Sequence, residues 1–531
     1  MASPNYGMTL SLAFDLGKIV SWSGSSFWLT TATAARDPSE CRASKFHRTA
    51  VVMSVLDGVG HVDQWGVLSG FRLDLYECLQ ARGDALFELV DSLLCTEGPV
   101  RTLVELSLAP EHRRGHGALY DALNCGAVNL RRLPSVLAAL PLPRASDGRI
   151  VLAVDVSNWL RPDAATSPER LFCHTYARGK GKAQMIPGWP YSFVAALEPG
   201  RTSWTALLDT VRIAPGQDQT DVTAAQVRGV VERLRQAGQW NEGDPRILVV
   251  FDAGYDVTRL AYLLADLPVE LLARMRSDRV LYFPPLPQPP GKRGRKPVRG
   301  PEFNFRDENS WPAPAHTTTT DTTRYGRAVA RSWDRLQPAL TRRSAWAGHP
   351  PGDLPVIAGT VIRLEVDHLP GDRNAEPVWL WWSHTDATAD DVDRLWRSFL
   401  RRFDLEHTFR MIKQTLGWTR PKLRDPAAAD RWTWLVLAAH TQLRLARPLA
   451  EDLRRPWERP ARPGRMTPAR VRRGFRCLRA KTPQPASAPK RGKAGPGRTT
   501  GTRNKRVAPR HPVGNQAKTD TPKAAQEKQA G

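Results

Sequence analysis

The sequence predicts an α/β fold, and three observations lead to this prediction. Two short apolar runs, residues 150–155 and 247–252, each end in an aspartate, as buried strands do that carry a carboxylate to the edge of a sheet. Amphipathic helical patterns occupy residues 227–238 and 258–267, on either side of the second run. Later in the chain, residues 356–366 include alternating apolar and polar side chains, which is typical of a half-buried strand.

The composition indicates a basic protein with a polyanionic partner. The 531 residues leave room for two to four domains, and the net charge of +24 suits nucleic acid or an anionic membrane surface. Most of the 77 basic residues are arginine, which suits bidentate phosphate contacts. No apolar run approaches the roughly 18 residues of a membrane span, and no signal peptide is evident. The six scattered cysteines form no CxxC pair, so we expect a reduced cytoplasmic protein without a zinc site.

The chain before residue 148 is predicted to be mainly helical. Residues 1–70 have poor periodicity and form an N-terminal extension of uncertain character, whereas residues 71–147 have apolar residues at helical spacing. The polar break at residues 110–116 suits the turn of a helix-turn-helix, in which Arg113 and Arg114 would contact the DNA backbone. A plain helical bundle with a basic loop explains the same pattern equally well.

Residues 148–283 predict the first part of an RNase H-like core. The predicted order is three strands, a helix, a strand, a helix and a strand. The first three strands are predicted at residues 150–155, 191–197 and 204–213. In an RNase H-like fold the first and fourth strands carry two aspartates, which here are Asp155 and Asp252. Asp256 is the nearest alternative to Asp252, and either aspartate alone would more often be a cap residue.

A long insertion separates the two parts of this core. Residues 284–388 begin as a Pro-rich, basic linker and continue as strand-like segments, which indicates an inserted β-rich domain. Its tryptophans Trp311, Trp333 and Trp346 are either ordinary core residues or a platform on which an unpaired base stacks. The core is predicted to resume at residues 389–447.

The stretch at residues 399–418 is predicted to be a helix that carries a third carboxylate. At about 100° per residue, Arg402, Glu406 and Lys413 fall on one face. A carboxylate between two cations suits a site where a metal ion acts on a phosphate, but a solvated face with i,i+4 ion pairs has the same spacing. Asp404, the nearest alternative to Glu406, is predicted to be the N-cap of this helix.

The spacing of these residues resembles a known signature. Phe399, Arg402, Glu406 and Lys413 match the pattern Tyr-x2-Arg-x3-Glu-x6-Lys of the DDE transposases found in bacterial insertion sequences, with Phe in place of Tyr. The phrase Phe-Asp-Ala-Gly-Tyr-Asp, which contains the second aspartate, also resembles this group. The resemblance covers about residues 71–531.

The resemblance implies a DNA transposase whose catalytic and metal-binding residues are Asp155, Asp252 and Glu406. These carboxylates would hold two Mg²⁺ ions, for which Mn²⁺ can substitute. Arg402, Lys413 and Phe399 are the residues expected to bind phosphate or pack against the DNA. Such an enzyme cuts the terminal inverted repeats of its element and joins the 3′ ends to target DNA, as a homodimer on paired double-stranded ends. Two alternatives are a domesticated DNA-binding regulator that does not cut and an RNase H-like structure-specific endonuclease. A third, a basic membrane-surface protein, would need an amphipathic apolar face that the basic tail lacks, so we expect no membrane partner.

Residues 448–531 are predicted to form a disordered basic tail. From residue 461 onward the chain has 19 Lys and Arg and two acidic residues, which together supply +17 of the net charge. Pro, Gly, Thr and Ala dominate the remainder, so few residues could build a core. We expect this tail to bind duplex DNA electrostatically, in a protein associated with the nucleoid.

Overall fold

A computed structural model of the chain describes residues 63–176, 183–200, 202–286, 299–343, 346–347, 349–369, 375–462, 464–490, 501 and 507–516. Residues 1–62 of the predicted N-terminal extension and the basic part of the linker lie outside the described residues. The described helices are α1 (Gln64–Cys78), α2 (Gly83–Cys95), α3 (Leu103–Ser107), α4 (His116–Cys125), α5 (Arg132–Ala139), α6 (Gln219–Gln236), α7 (Val257–Leu263), α8 (Ala389–Arg401), α9 (Phe403–Arg410), α10 (Pro426–Ala446) and α11 (Pro468–Arg479). The described strands are β1 (Leu79–Ala81), β2 (Ala127–Val128), β3 (Val151–Leu160), β4 (Leu171–Tyr176), β5 (Ala183–Leu197), β6 (Thr205–Arg212), β7 (Ile247–Phe251), β8 (Val269–Met275), β9 (Val280–Tyr282), β10 (Glu302–Asn304), β11 (His316–Thr322), β12 (Gly326–Pro338), β13 (Gly359–Val366) and β14 (Val378–Trp382).

A large mixed sheet lies at the centre of the described residues and contains β3 to β14. Its middle has the order β6-β5-β3-β7-β8, in which β3, β7 and β8 run parallel and β5 and β6 are antiparallel to their neighbours. The predicted sequence of strands and helices is present, with β4 as an added strand that pairs with the first half of β5. The prediction missed this half because Pro187, Gly188 and Pro190 are residues that normally weaken a strand.

The predicted β-rich insertion is not a separate domain, because its strands extend the central sheet. β14 pairs antiparallel with β8, with Trp381 beside Ala273, and β13 and β12 follow in order. Five residues of β8 are buried, so this strand requires a neighbour on its outer edge. Trp333 and Trp346 are 3% and 7% exposed, which confirms the core interpretation for these two tryptophans.

Helices cover both faces of the sheet. α6 and α7 pack on one face, where Val227 and Leu260 share a buried cluster with Leu152. On the other face, Leu86 of α2 shares a buried cluster with Leu435 of α10, together with most of the remaining helices. The N-terminal helical region, predicted as a domain over residues 71–147, therefore belongs to the main core and begins at α1. Among the described helices, none has both the length and the apolar character needed to cross a membrane.

The DNA contacts predicted for Arg113 and Arg114 are replaced by internal contacts. Arg113 Nε donates to Glu88 Oε1 (2.9 Å), and Arg114 Nη2 donates to Asp84 Oδ2 (3.0 Å). The same two guanidinium groups also donate to backbone carbonyls of residues 486 and 487. These arginines therefore attach the C-terminal part of the chain to α2 and are not free for phosphate.

The prediction of a disordered tail is wrong for residues 464–490. α11 buries Val471, Phe475 and Leu478, and the buried Arg472 donates to the carbonyl oxygens of Leu93 (3.0 Å) and Gly98 (2.6 Å). The composition was misleading because these few apolar residues lie three and four positions apart and form one narrow stripe of a helix. Farther along, Gly514 N donates to Arg170 O (2.8 Å) beside β4. Residues 491–500, 502–506 and 517–531 lie outside the described residues.

Candidate active site

Strand register places Asp155 beside Asp252. β3 and β7 are parallel neighbours, with Ala153 next to Val250. Asp155 and Asp252 each come two residues after this pair, and side chains alternate along a strand, so both carboxylates fall on the sheet face of Ala153 and Val250. The predicted pair of aspartates thus meets at one position on the face that carries α8 and α9.

Helix α9 brings Glu406 to the same face. Leu405 and Phe409 belong to the buried core, and the Phe409 ring lies 5.2 Å from the ring of Phe193 on β5. The hydroxyl oxygens of Thr408 and Thr205 are 2.8 Å apart, which joins α9 to β6. With these side chains directed toward the sheet, Glu406 remains 41% exposed at the edge of the packed face.

The predicted single helix over residues 399–418 is divided into three segments. α8 ends at Arg401, α9 begins at Phe403, and a π-helical turn covers Met411–Thr415. A π-helical turn contains an extra residue, so the regular phase that placed Lys413 above Glu406 does not hold. Such turns are frequent at functional sites.

Both alternative carboxylates are engaged elsewhere. Asp256 is the N-cap of α7 and accepts a hydrogen bond from the backbone of Arg259 (3.1 Å). Asp404 lies within α9 and pairs with Arg401, so the prediction that it is the N-cap is wrong; the N-cap is Arg402. Burial raises the pKa of Asp404 to about 7, against the opposing charge of Arg401.

The guanidinium of Arg402 contacts all three predicted carboxylates. Its Nη1 lies 3.0 Å from Asp155 Oδ2, and its Nη2 lies 3.2 Å from Glu406 Oε1 and 3.5 Å from Asp252 Oδ2. Burial raises the pKa of Asp155 to about 6, and the charges of Asp252 and Glu406 add to this effect while Arg402 opposes it. Burial also raises the pKa of Glu406. Three acids crowded in this way require a counter-cation.

Of the remaining predicted site residues, Lys413 interacts electrostatically with Asp155, and Phe399 is buried. The Lys413 ammonium is 5.7 Å from the centre of the Trp418 ring; burial lowers its pKa, and the charge of Asp155 opposes that change. Phe399 is 3% exposed within the core of α8. The predicted DNA contact of Phe399 is therefore contradicted by its burial, and its ring serves packing.

Tyr255 is a neighbour of the site that the sequence analysis did not single out. Burial raises its pKa well above the usual value, and the charges of Asp155 and Asp252 act in the same direction. Its ring packs 5.1 Å from that of Phe251, at the end of β7. The available signal was its position three residues after Asp252, in the turn that precedes α7.

The donor set suits a hard divalent cation if Arg402 is displaced. In the described part of the chain, no three Asp, Glu, His or Cys side chains form a group that could hold a metal ion as they stand. At this site the Arg402 guanidinium lies among the carboxylates. Carboxylate oxygens without sulfur or imidazole match the preference of Mg²⁺ and Mn²⁺. Asp252 Oδ1 is buried without a hydrogen-bond partner, so one potential ligand atom is uncommitted.

Comparison with known proteins identifies one family. A family model described as DDE superfamily endonuclease matches residues 74–339, which is about half of the chain. The matched segment includes Asp155 and Asp252 and ends before Glu406. No curated protein matches the chain.

Proposed function

This chain belongs to the DDE superfamily endonuclease family, and we propose that it is the transposase of a bacterial insertion sequence. It would cut the terminal inverted repeats of the element and join the 3′ ends to target DNA. The observation that carries the proposal is the convergence of Asp155, Asp252 and Glu406, from two strands and a helix, on one guanidinium.

The sheet order supports assignment of an RNase H-like core within this proposal. The order β6-β5-β3-β7-β8, with three parallel strands followed by two antiparallel ones toward one edge, is the order expected for that fold. Asp155 lies within β3, which continues to Leu160, and Asp252 directly follows β7; these are the first and fourth strands of this set in chain order. Glu406 lies on the helix that returns to the core after the sheet extension.

The site residues divide the chemical work of phosphoryl transfer between them. Asp155, Asp252 and Glu406 would hold two Mg²⁺ ions, which when bound supply an activated water or 3′-hydroxyl and stabilise the leaving oxygen. Arg402 and Lys413 would bind phosphates next to the scissile bond, because cations position the nucleic-acid backbone. Double-stranded DNA is then the substrate, and a homodimer on paired ends is the expected assembly.

Substitution of Lys413 is expected to impair chemistry without impairing metal binding. Lys413→Ala removes a cation that lies near Asp155 but outside the carboxylate group. If this cation fixes a phosphate, its loss misplaces the DNA, and a misplacement of about 1 Å can reduce the rate by on the order of 100-fold. Single-turnover cleavage and Mn²⁺ binding, measured on the same variant, check this. Normal cleavage would show that Lys413 has only a packing role beside Trp418.

The proposed function is tested with the DNA that flanks the reading frame. The purified full-length chain is incubated with Mg²⁺, a labelled duplex of the flanking DNA and a supercoiled target plasmid. A transposase yields cut ends and joined products with short target duplications at the junctions. Cleavage without joining would indicate a structure-specific endonuclease, and binding without cleavage would indicate a regulator; either result would overturn the proposal.

A further inference from the structure

Arg402 occupies the space in which the three carboxylates would share a metal ion. Its two terminal nitrogens contact one carboxylate oxygen of each of Asp155, Asp252 and Glu406. The Arg402 side chain is only 4% exposed, so water does little to screen its charge. A divalent cation among the same oxygens would stand a few ångströms from a buried positive charge, and the two exclude each other.

In the part of the chain that the structure describes, the three carboxylates are the hydrogen-bond and ion-pair partners of the Arg402 guanidinium. Its Nε is buried without a hydrogen-bond partner. Apart from the carboxylates, the structure places its guanidinium over the ring of Phe403, at 5.1 Å from the centre. Its backbone lies at the junction of α8 and α9, as the C-cap of the first helix and the N-cap of the second.

We propose that Arg402 is an internal counter-ion that keeps metal out of the free enzyme and leaves the carboxylates when a DNA phosphate arrives. This inference rests on the proposed function, since it requires the carboxylates to be metal ligands. A phosphate diester offers two oxygens to the planar fork of arginine, and such bidentate pairs are among the strongest charge-assisted hydrogen bonds. When Arg402 leaves the three carboxylates to bind a phosphate, the carboxylate oxygens become available to a metal ion.

Metal and DNA are therefore coupled ligands of this chain. Because each favours the state in which Arg402 has left the carboxylates, each raises the affinity of the other by the same factor. Such coupling factors are typically about 5- to 150-fold. The consequence for the enzyme is that metal is loaded where DNA is present, and the free protein holds it weakly.

The test measures Mn²⁺ binding to the full-length chain by the electron paramagnetic resonance signal of free Mn²⁺, with and without a duplex of the flanking DNA. Arg402→Gln and Arg402→Ala are compared with wild type, and Arg410→Gln is the matched control. Arg410 is an exposed cation at the end of α9, and its charge acts to lower the pKa of Glu406. Melting temperatures with and without Mn²⁺ show that each variant is folded.

Without DNA, both Arg402 variants are expected to bind Mn²⁺ at least about tenfold more tightly than wild type, within the usual range of coupling. Arg410→Gln should change the affinity by less than about fivefold, because exposed charges interact weakly. DNA should raise the affinity of wild type and have little effect on the Arg402 variants. If the Arg402 variants bind Mn²⁺ no more tightly than wild type, while wild type still cleaves DNA in a metal-dependent way, this inference is wrong and the proposed function stands. If no form binds Mn²⁺ even with DNA, both this inference and the two-metal function fail.

Discussion

Replacement of any one of the three carboxylates is expected to abolish DNA cleavage and leave DNA binding intact. Asp155→Asn, Asp252→Asn and Glu406→Gln keep the shape of each side chain and remove a negative oxygen from the site. Metal stabilisation of the transition state is worth several kcal/mol, and each 1.4 kcal/mol is a factor of about ten, so the loss should be at least about 1,000-fold. The triple variant should be no slower than the single variants, because ligands of one metal site act as a unit.

Asp256→Asn is the control for these substitutions. Asp256 lies four residues after Asp252 but caps α7, and asparagine is an equally good cap, so both fold and cleavage should be preserved. Single-turnover cleavage with Mg²⁺ and DNA binding at the same salt concentration are the two measurements. Robust cleavage by Glu406→Gln would remove this residue from the site, and a loss of activity in Asp256→Asn would reopen the choice between the two aspartates.

The parts of the site that depend on local pattern could be predicted from the sequence. The apolar runs before Asp155 and Asp252 are contiguous, and burial of a central parallel strand requires such a run. The position of Arg402 among the carboxylates could not be predicted in the same way. It depends on contacts of Arg402 with residues 247, 150 and 4 positions away, and a pattern on one helix face indicates only the shortest of these.

Pairing between strands that are distant in the sequence explains where the predicted fold differs from the structure. Within the insertion, the sequence predicts the strands that correspond to β13 and β14 but not β11 and β12. Nothing in the sequence of β14 shows that its partner is β8, more than 100 residues earlier. The same limit applies to Phe399, whose neighbours in the core come from other elements. The match to the family signature predicted a DNA contact for Phe399 from its place in the sequence, whereas tertiary packing determines that its ring is buried.

Helix α11 is expected to be essential for stability, although composition alone places it in a tail. The ion pair between Arg72 and Asp91 (2.8 Å) is buried, and Arg479 of α11 donates to the same aspartate (2.8 Å). Phe475 is fully buried against this layer. Phe475→Ala should lower the free energy of unfolding by about 3–5 kcal/mol, a large part of the roughly 5–15 kcal/mol of a typical domain. Trp457→Ala is the control, because Trp457 is 75% exposed and its loss should cost no more than about 0.5 kcal/mol.

Two truncations separate this structural role from the electrostatic role expected of the distal tail. A chain that ends at Lys490 keeps α11 and loses ten basic residues, so it should fold, bind all duplex sequences more weakly and show a smaller salt dependence of affinity. A chain that ends at Arg462 also loses α11, which leaves the buried Asp91 without Arg479 and exposes apolar surface on α2 and α10. We expect this shorter chain to aggregate or to melt far below the longer one, as circular dichroism and gel filtration would show. Equal melting temperatures for the two truncated chains would mean that α11 adds little to the core. If the chain that ends at Lys490 loses only its binding to the inverted repeats, the distal tail recognises DNA sequence.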